Sequence, residues 1–319
     1  MGRRLYGLDG LRGIAALLVL AMHTFGFAGG HLAVDFFFML SGYVMARTYE
    51  QRLLSGTLSP GRFMVMRLRR LWPTMAIGAT LGLAVAALHG VAPENLAHAY
   101  AFALLMIPAS ATLPYALNLP AWSIFYELVA NALHGAVFVR LGRGALIAVT
   151  AAAGLTLAAI CTRFEFPRIL DSTTAAMQVM IVPRVLASYL IGVLLYRLFK
   201  DEAPFRIPFA FAAAGFAGYV ALVSAVPFSL WPLPFVFLFA PLLVLAGVGE
   251  TRQLRALAVL GDISFPLYAV HFPVLQLVSM TDSGRLAVPL AWAGSIGLAL
   301  LWTIRKGGGS VAIRKLALT

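Results

Sequence analysis

One cysteine in 319 residues, Cys161, leaves no partner for a disulfide within the chain and excludes cysteine-rich metal or iron–sulfur sites. Charge is scarce too. Asp, Glu, Lys and Arg together make up 11% of the residues, against about a quarter in soluble domains, so an ordinary soluble fold is excluded. Acids are the rarer sign, 12 against 24 basic residues, for a net charge of +12. Such an excess could fit nucleic acid, but the basic residues sit in short stretches between apolar runs, where the positive-inside rule explains them. Three motifs are missing: the G-x-x-x-x-G-K-[ST] phosphate loop, the H-E-x-x-H zinc site and the G-x-S-x-G nucleophile elbow. No metal is expected. Nor does any internal repeat, heptad or low-complexity tract stand out, so the repeat signature of many transporters is not evident.

What fills the chain is apolar: 61% of residues are hydrophobic and the mean hydropathy is +0.90. A bilayer span takes about 20 such residues, which predicts an all-α, polytopic integral membrane protein of about ten helices. The expected spans are 13–28, 33–48, 72–89, 122–139, 145–160, 181–196, 207–226, 231–248, 260–280 and 286–304. Residues 93–120 are apolar but broken by proline, which suits a re-entrant or interfacial segment. With both termini cytoplasmic, about 20 of the 24 basic residues fall on the cytoplasmic side. The start, Met1 to Arg4 before an apolar run, is read as an uncleaved first span because Arg12 interrupts it and no cleavage site follows. Residues 1–319 form a single domain in this reading, with no fused extracytoplasmic domain.

Ionisable groups inside apolar segments are costly, so each is a functional candidate. Arg12 and His23 are eleven residues apart, about three helical turns, which puts both on one face roughly 16 Å apart along the axis. Arg12 could instead snorkel to the interface, and His23 could serve a structural hydrogen bond. Asp35 opens the second span across a short loop. There it could orient His23 as a general base, or cap the helix N-terminus. The basic segment 47–70 ends in Arg67-Leu68-Arg69-Arg70, just before Trp72-Pro73 is expected to open the third span. Clustered guanidinium groups suit a phosphorylated ligand, although such a run also serves as a plain topology signal. Glu127 sits one turn into the span beginning at Trp122 and needs a partner or a wet cavity. His271 lies mid-span with Tyr268 one turn back on its own face, an arrangement that a helix-to-helix hydrogen bond would also explain.

Taken in order, these pieces resemble the membrane-bound acyltransferase type 3 family, bacterial O-acyltransferases of surface polysaccharides and related acceptors. The similarity rests on Leu8-Asp9-Gly10-Leu11-Arg12-Gly13, the Arg12-x10-His23 spacing and Val34-Asp35-Phe36-Phe37-Phe38-Met39-Leu40-Ser41-Gly42-Tyr43. It continues through the Arg67-x-x-Arg70 pair, Trp122-Ser123-x3-Glu127, Val182-Pro183-Arg184 and the stretch Ser264 to His271. The resemblance implies an integral enzyme of the bacterial inner membrane that moves a short acyl group from acyl-CoA, acetyl-CoA in the first instance, to a hydroxyl of a carbohydrate or glycoconjugate. It implies Arg12 and His23 as the essential pair, with Asp35 and Glu127 beside them. The donor would lie against Arg67 and Arg70, with Arg69 and Trp72 near it. Supporting or substrate-facing roles would fall to Trp122, Ser123, Arg184, Tyr268 and His271. Two rival readings keep the same residues: a transporter that uses them as a substrate or proton path, and an acyl conduit feeding a separate extracytoplasmic transferase. Acceptor choice is expected in segments 93–120 and 162–180.

Overall fold

The computed structural model describes residues 3–109, 115–164, 175–226, 230–281 and 283–306. Every regular element among them is helical. In chain order these are α1 (Tyr6–Phe25), α2 (Leu32–Leu54), α3 (Pro60–Leu88), α4 (Pro93–Leu105), α5 (Ala121–Ala136), α6 (Arg143–Arg163), α7 (Ala175–Phe199), α8 (Phe209–Ala225), α9 (Pro232–Gly249), α10 (Arg255–Ser279) and α11 (Ala287–Arg305). Eight helical segments among the described residues are long and apolar enough to cross a bilayer, fewer than the ten expected. The two that fall short are α5, with 16 residues, and α8, with 17, both where spans were expected. The fold is that of an all-α polytopic membrane protein. Large aliphatic side chains on its outside, such as Leu155 on α6 at 72% exposure and Leu301 on α11 at 61%, suit hydrocarbon rather than water.

Among the described residues between 93 and 120 there is one 13-residue helix, α4, which is too short to span and ends at Met106 in the left-handed region. Residues 110–114, and most of the 162–180 segment expected to choose the acceptor, lie outside the described residues.

The basic segment 47–70, expected to lie between the second and third spans, is mostly helical. α2 runs on to Leu54, and α3 begins at Pro60, with Ser59 as its N-cap accepting from the Arg62 amide at 3.3 Å. Proline is well placed at a first helical position, where its missing N–H costs nothing. Pro73 was expected to open a helix but instead lies inside α3, two turns past Arg67. Arg67 and Arg70 therefore share a helical face, while Arg69 points elsewhere.

The core is organised by two close helix pairs, α1 with α10 and α2 with α7. Small residues let the backbones approach where lipid offers no hydrophobic drive. Between α2 and α7 the contact is reciprocal: a Cβ on Gly42 would strike the Tyr189 carbonyl, and one on Gly192 would strike the Met39 carbonyl. Between α1 and α10, Gly13 faces the Leu260 backbone and Gly261 faces the Asp9 side chain. These two helices run in parallel, since residue 12 meets residues 261 and 264 while residue 23 meets residue 271. The whole face of α1 expected to carry function is thus laid against one neighbour.

Candidate active site

A cavity of about 290 Å³ opens among α1, α2, α3, α5, α10 and α11. Its polar lining includes Arg12, Ser41, Arg67, Arg70, Ser123, Glu127, Asp262, Ser264, Tyr268 and Lys306. Its apolar walls include Phe37, Phe38, Leu40, Val44, Met45, Leu71, Ile124 and Phe265.

Arg12 does not snorkel. Its Nε donates to Ser264 Oγ at 2.9 Å and its Nη2 to the Gly261 carbonyl at 2.7 Å and to Asp9 at 3.2 Å. Asp9 and Asp262 are themselves held by Arg4, at 2.5 and 2.8 Å. Three bonds in known directions fix the guanidinium at the cavity wall and leave Nη1 without a hydrogen bond among the described residues.

Arg67 is 4% exposed and donates from Nη2 to Glu127 Oε1 at 2.7 Å; the same oxygen accepts from Ser41 at 2.9 Å. The expected partner of Glu127 is therefore Arg67. Arg67 Nε is buried with no partner among the described residues. A buried N–H of this kind is costly to leave unmet, about 1–3 kcal/mol, which favours an acceptor brought by a ligand. Arg70 also lines the cavity, and so does Lys306, just past the end of α11, with its ammonium 5.7 Å from the Trp302 ring. Neither meets a carboxylate among the described residues. Desolvation by burial, and then the nearby Arg70 charge, lower the Lys306 pKa below its ordinary value. The acids of the lining are already matched by Arg67 and Arg4, so Arg70 and Lys306 give the cavity a net positive end.

Two residues expected beside Arg67 and Arg70 lie elsewhere. Arg69 is exposed and off the cavity. Trp72 is 46% exposed and donates from its indole to the Leu104 carbonyl at 2.8 Å, tying α3 to α4 instead of facing a donor.

At the inner end of the cavity the Tyr268 hydroxyl meets Ser123 Oγ at 2.7 Å and the Pro120 carbonyl at 3.1 Å, with Phe37 edge-on to its ring. One turn further along α10, His271 is wholly buried. Its Nε2 lies 3.2 Å from His23 Nδ1, which also lies 3.1 Å from the Val19 carbonyl. His23 is half-buried, with Phe272 edge-on to it, and its Nε2 makes no hydrogen bond among the described residues. Arg12 and His23 therefore stand at two levels of one α1–α10 seam, as their spacing required.

Asp35 does not orient His23. It lies in the first turn of α2, and its carboxylate is taken by Arg184 and by Ser188 at 3.2 Å. Arg184 also donates to the His31 carbonyl at 3.0 Å and places its guanidinium 5.6 Å from the centre of the buried Trp122 ring. The physical reason is charge: a buried carboxylate is satisfied far better by a guanidinium than by a neutral ring. Asp35, Arg184 and Trp122 form a structural cluster off the cavity lining.

Sequence reasoning missed Asp262 and Lys306, neither of which belongs to a motif that spacing alone could flag. Ser41 lies inside the Val34 to Tyr43 stretch that carries the resemblance, but nothing local marks it as a partner of Glu127. Asp9 carried one usable signal, its i,i+3 position before Arg12.

A family profile described as "Acyltransferase domain" matches residues 5–304. The chain is 36% identical over 180 residues to "Protein 2 in picA locus" of Rhizobium radiobacter, a match covering 49% of this chain and 94% of that protein. It is 41% identical over 68 residues to "Putative membrane-bound transacylase BcsY" of Komagataeibacter xylinus, covering 21% of this chain and 17% of that protein. No solved structure matches. With the profile spanning nearly the whole chain and the helices long enough to span a bilayer, the chain belongs to the membrane-bound acyltransferase type 3 family and is an integral membrane acyltransferase.

Proposed function

We propose that this enzyme moves a short acyl group, acetyl in the simplest case, from an acyl-CoA thioester to a hydroxyl of a carbohydrate or glycoconjugate, in the bacterial cytoplasmic membrane. The observation that carries the reading is the polarity of the cavity. Two uncompensated cations, Arg70 and Lys306, stand at one end, apolar walls follow, and the other end lies one helical turn from the His23–His271 pair. A CoA thioester has that order: phosphates, a thin arm, then a small apolar acyl group. A volume of about 290 Å³ suits the arm and acyl group, so the nucleotide would rest at the mouth, where Arg70 and Lys306 can reach its phosphates. Arg67 Nε and Arg12 Nη1 are the donors available to carbonyl oxygens along the arm. The basic cavity end is cytoplasmic in this reading, by the positive-inside rule. Both named relatives come from bacteria, and one carries transacylase in its description.

In the reaction, the neutral His23 ring takes the proton from the acceptor hydroxyl as its oxygen attacks the thioester carbonyl. Collapse of the tetrahedral adduct breaks the C–S bond, and the leaving thiolate takes the proton back from the imidazolium. The products are an ester and free thiol, with protons and electrons balanced. Group transfer also explains why His23 and the cavity lie in one seam.

The test is release of free CoA from acetyl-CoA by the purified chain in nanodiscs, with a panel of sugar acceptors, in wild type and His23→Ala. Acceptor-dependent release that needs His23 supports the proposal. Folded protein that releases no thiol with any acceptor would overturn it in favour of transport; release only on adding an extracytoplasmic transferase would overturn it in favour of the conduit.

A further inference from the structure

Within the reaction proposed above, on which this inference rests, we propose that His271 is a positioning residue. It holds His23 in the tautomer with hydrogen on Nδ1 and the lone pair on Nε2. The argument starts from atoms that can only accept. His271 Nδ1 lies 2.9 Å from the Tyr268 carbonyl and 3.2 Å from the Leu267 carbonyl. A carbonyl has no hydrogen to give, so His271 Nδ1 carries one. No carboxylate meets the His271 ring among the described residues, and at full burial a charge there would be unsupported, so the ring is neutral and its Nε2 is bare.

That bare nitrogen sits 3.2 Å from His23 Nδ1. The other neighbour of His23 Nδ1, the Val19 carbonyl at 3.1 Å, is also only an acceptor. Both contacts demand a hydrogen on His23 Nδ1, which leaves Nε2 as the basic atom of a ring anchored on two sides. The ring centroids are 5.1 Å apart and the planes tilted by 46°, consistent with an edge-directed bond rather than stacking.

A second consequence concerns energy. When Nε2 of His23 takes the acceptor proton, the ring becomes cationic and its Nδ1–H···Nε2 bond to His271 becomes charge-assisted. An interaction that strengthens only as the proton moves lowers the barrier without tightening substrate binding. The role often given to a carboxylate beside a catalytic histidine is here filled by a second, neutral histidine, because the candidate carboxylate, Asp35, is committed to Arg184.

The experiment compares His271→Ala, His271→Gln and His271→Asn with wild type in nanodiscs, reading kcat and KM for acetyl-CoA. Glutamine can put an amide oxygen near the position of Nε2, whereas asparagine reaches only the backbone carbonyls that Nδ1 serves. The expected result is a kcat loss of about 10- to 100-fold in Ala and Asn at nearly unchanged KM, with partial recovery in Gln. An unchanged kcat in Ala, or equal kcat in Gln and Asn, would overturn the proposal. Nitrogen-15 NMR of ring-labelled histidine, with His23 assigned through His23→Gln, reads the tautomer without any turnover. Hydrogen on Nδ1 in wild type supports the proposal and hydrogen on Nε2 defeats it, even if the alanine variant does not fold. Absence of His23-dependent turnover in wild type would count against the acyl-transfer reading, and the tautomer would still be decided by NMR.

Discussion

Arg184 grips Asp35 through two parallel bonds, Nε to Oδ1 at 2.8 Å and Nη2 to Oδ2 at 2.7 Å, with both side chains sealed from solvent. Removing one partner strands the other as a buried charge, which costs about 3–5 kcal/mol, whereas replacing both with apolar groups of similar size is often tolerated. Asp35→Ala and Arg184→Ala are each expected to lower the unfolding temperature sharply in detergent. The double variant Asp35→Leu/Arg184→Met should recover most of it. If Asp35→Ala melts like wild type but has lost turnover, Asp35 belongs to the chemistry after all.

The helical face that carries Arg67 and Arg70 excludes Arg69, and this gives a three-way comparison within four residues. Arg70→Ala should raise the KM for acetyl-CoA about tenfold, the value of one charge-assisted contact of roughly 1.4 kcal/mol, with kcat little changed. Arg69→Ala should leave both constants near wild type. Arg67→Ala should do more harm than Arg70→Ala, because it also strands Glu127. Steady-state kinetics on the three variants checks the order, and equal effects at Arg69 and Arg70 would argue that only overall charge matters.

Much of the site could be read from the chain because it follows helical periodicity. Arg12 and His23 fall on one face by spacing alone, and Tyr268 and His271 on another, and the structure lays these faces together along α1 and α10. What could not be read were partners far apart in sequence. Local sequence offers Asp35 either His23 across a short loop or its own helix N-terminus, but its guanidinium partner stands 149 residues away. Trp72-Pro73 looks like a helix start and so sets the Arg67–Arg70 run ahead of the third span, yet Ser59-Pro60 is the stronger start and Pro73 is carried inside the helix. Lys306 follows an apolar helix as any topology charge would, and nothing local marks it as part of a cavity wall.

The reciprocal contact of Gly42 and Gly192 leaves no room for a methyl group on either helix, because each would meet a backbone carbonyl rather than a side chain able to turn away. Gly42→Ala and Gly192→Ala are each expected to destabilise the α2–α7 pair by about 1–3 kcal/mol, the usual cost of overpacking. Gly144, where an added Cβ meets nothing within 4 Å, is the control. Thermal unfolding in one detergent, with all three variants side by side, checks this. Wild-type melting in both Gly42→Ala and Gly192→Ala would mean the helices are not so closely apposed.

Lys306 supplies a test that depends on pH. Burial and the charge of Arg70 lower its pKa, so the ammonium loses its proton earlier on the alkaline side than an ordinary lysine would. Losing that proton removes a positive charge from the mouth of the cavity and weakens attraction for a phosphorylated donor. The KM for acetyl-CoA should therefore rise as pH climbs through the lowered pKa, while a bound phosphate, by holding the proton on, should leave kcat less affected. Lys306→Arg keeps its charge throughout that range, so its KM should stay flat where wild type rises, and Lys306→Met should show the raised KM at every pH. A parallel rise in wild type and Lys306→Arg would assign the titration to another group and remove Lys306 from the donor site.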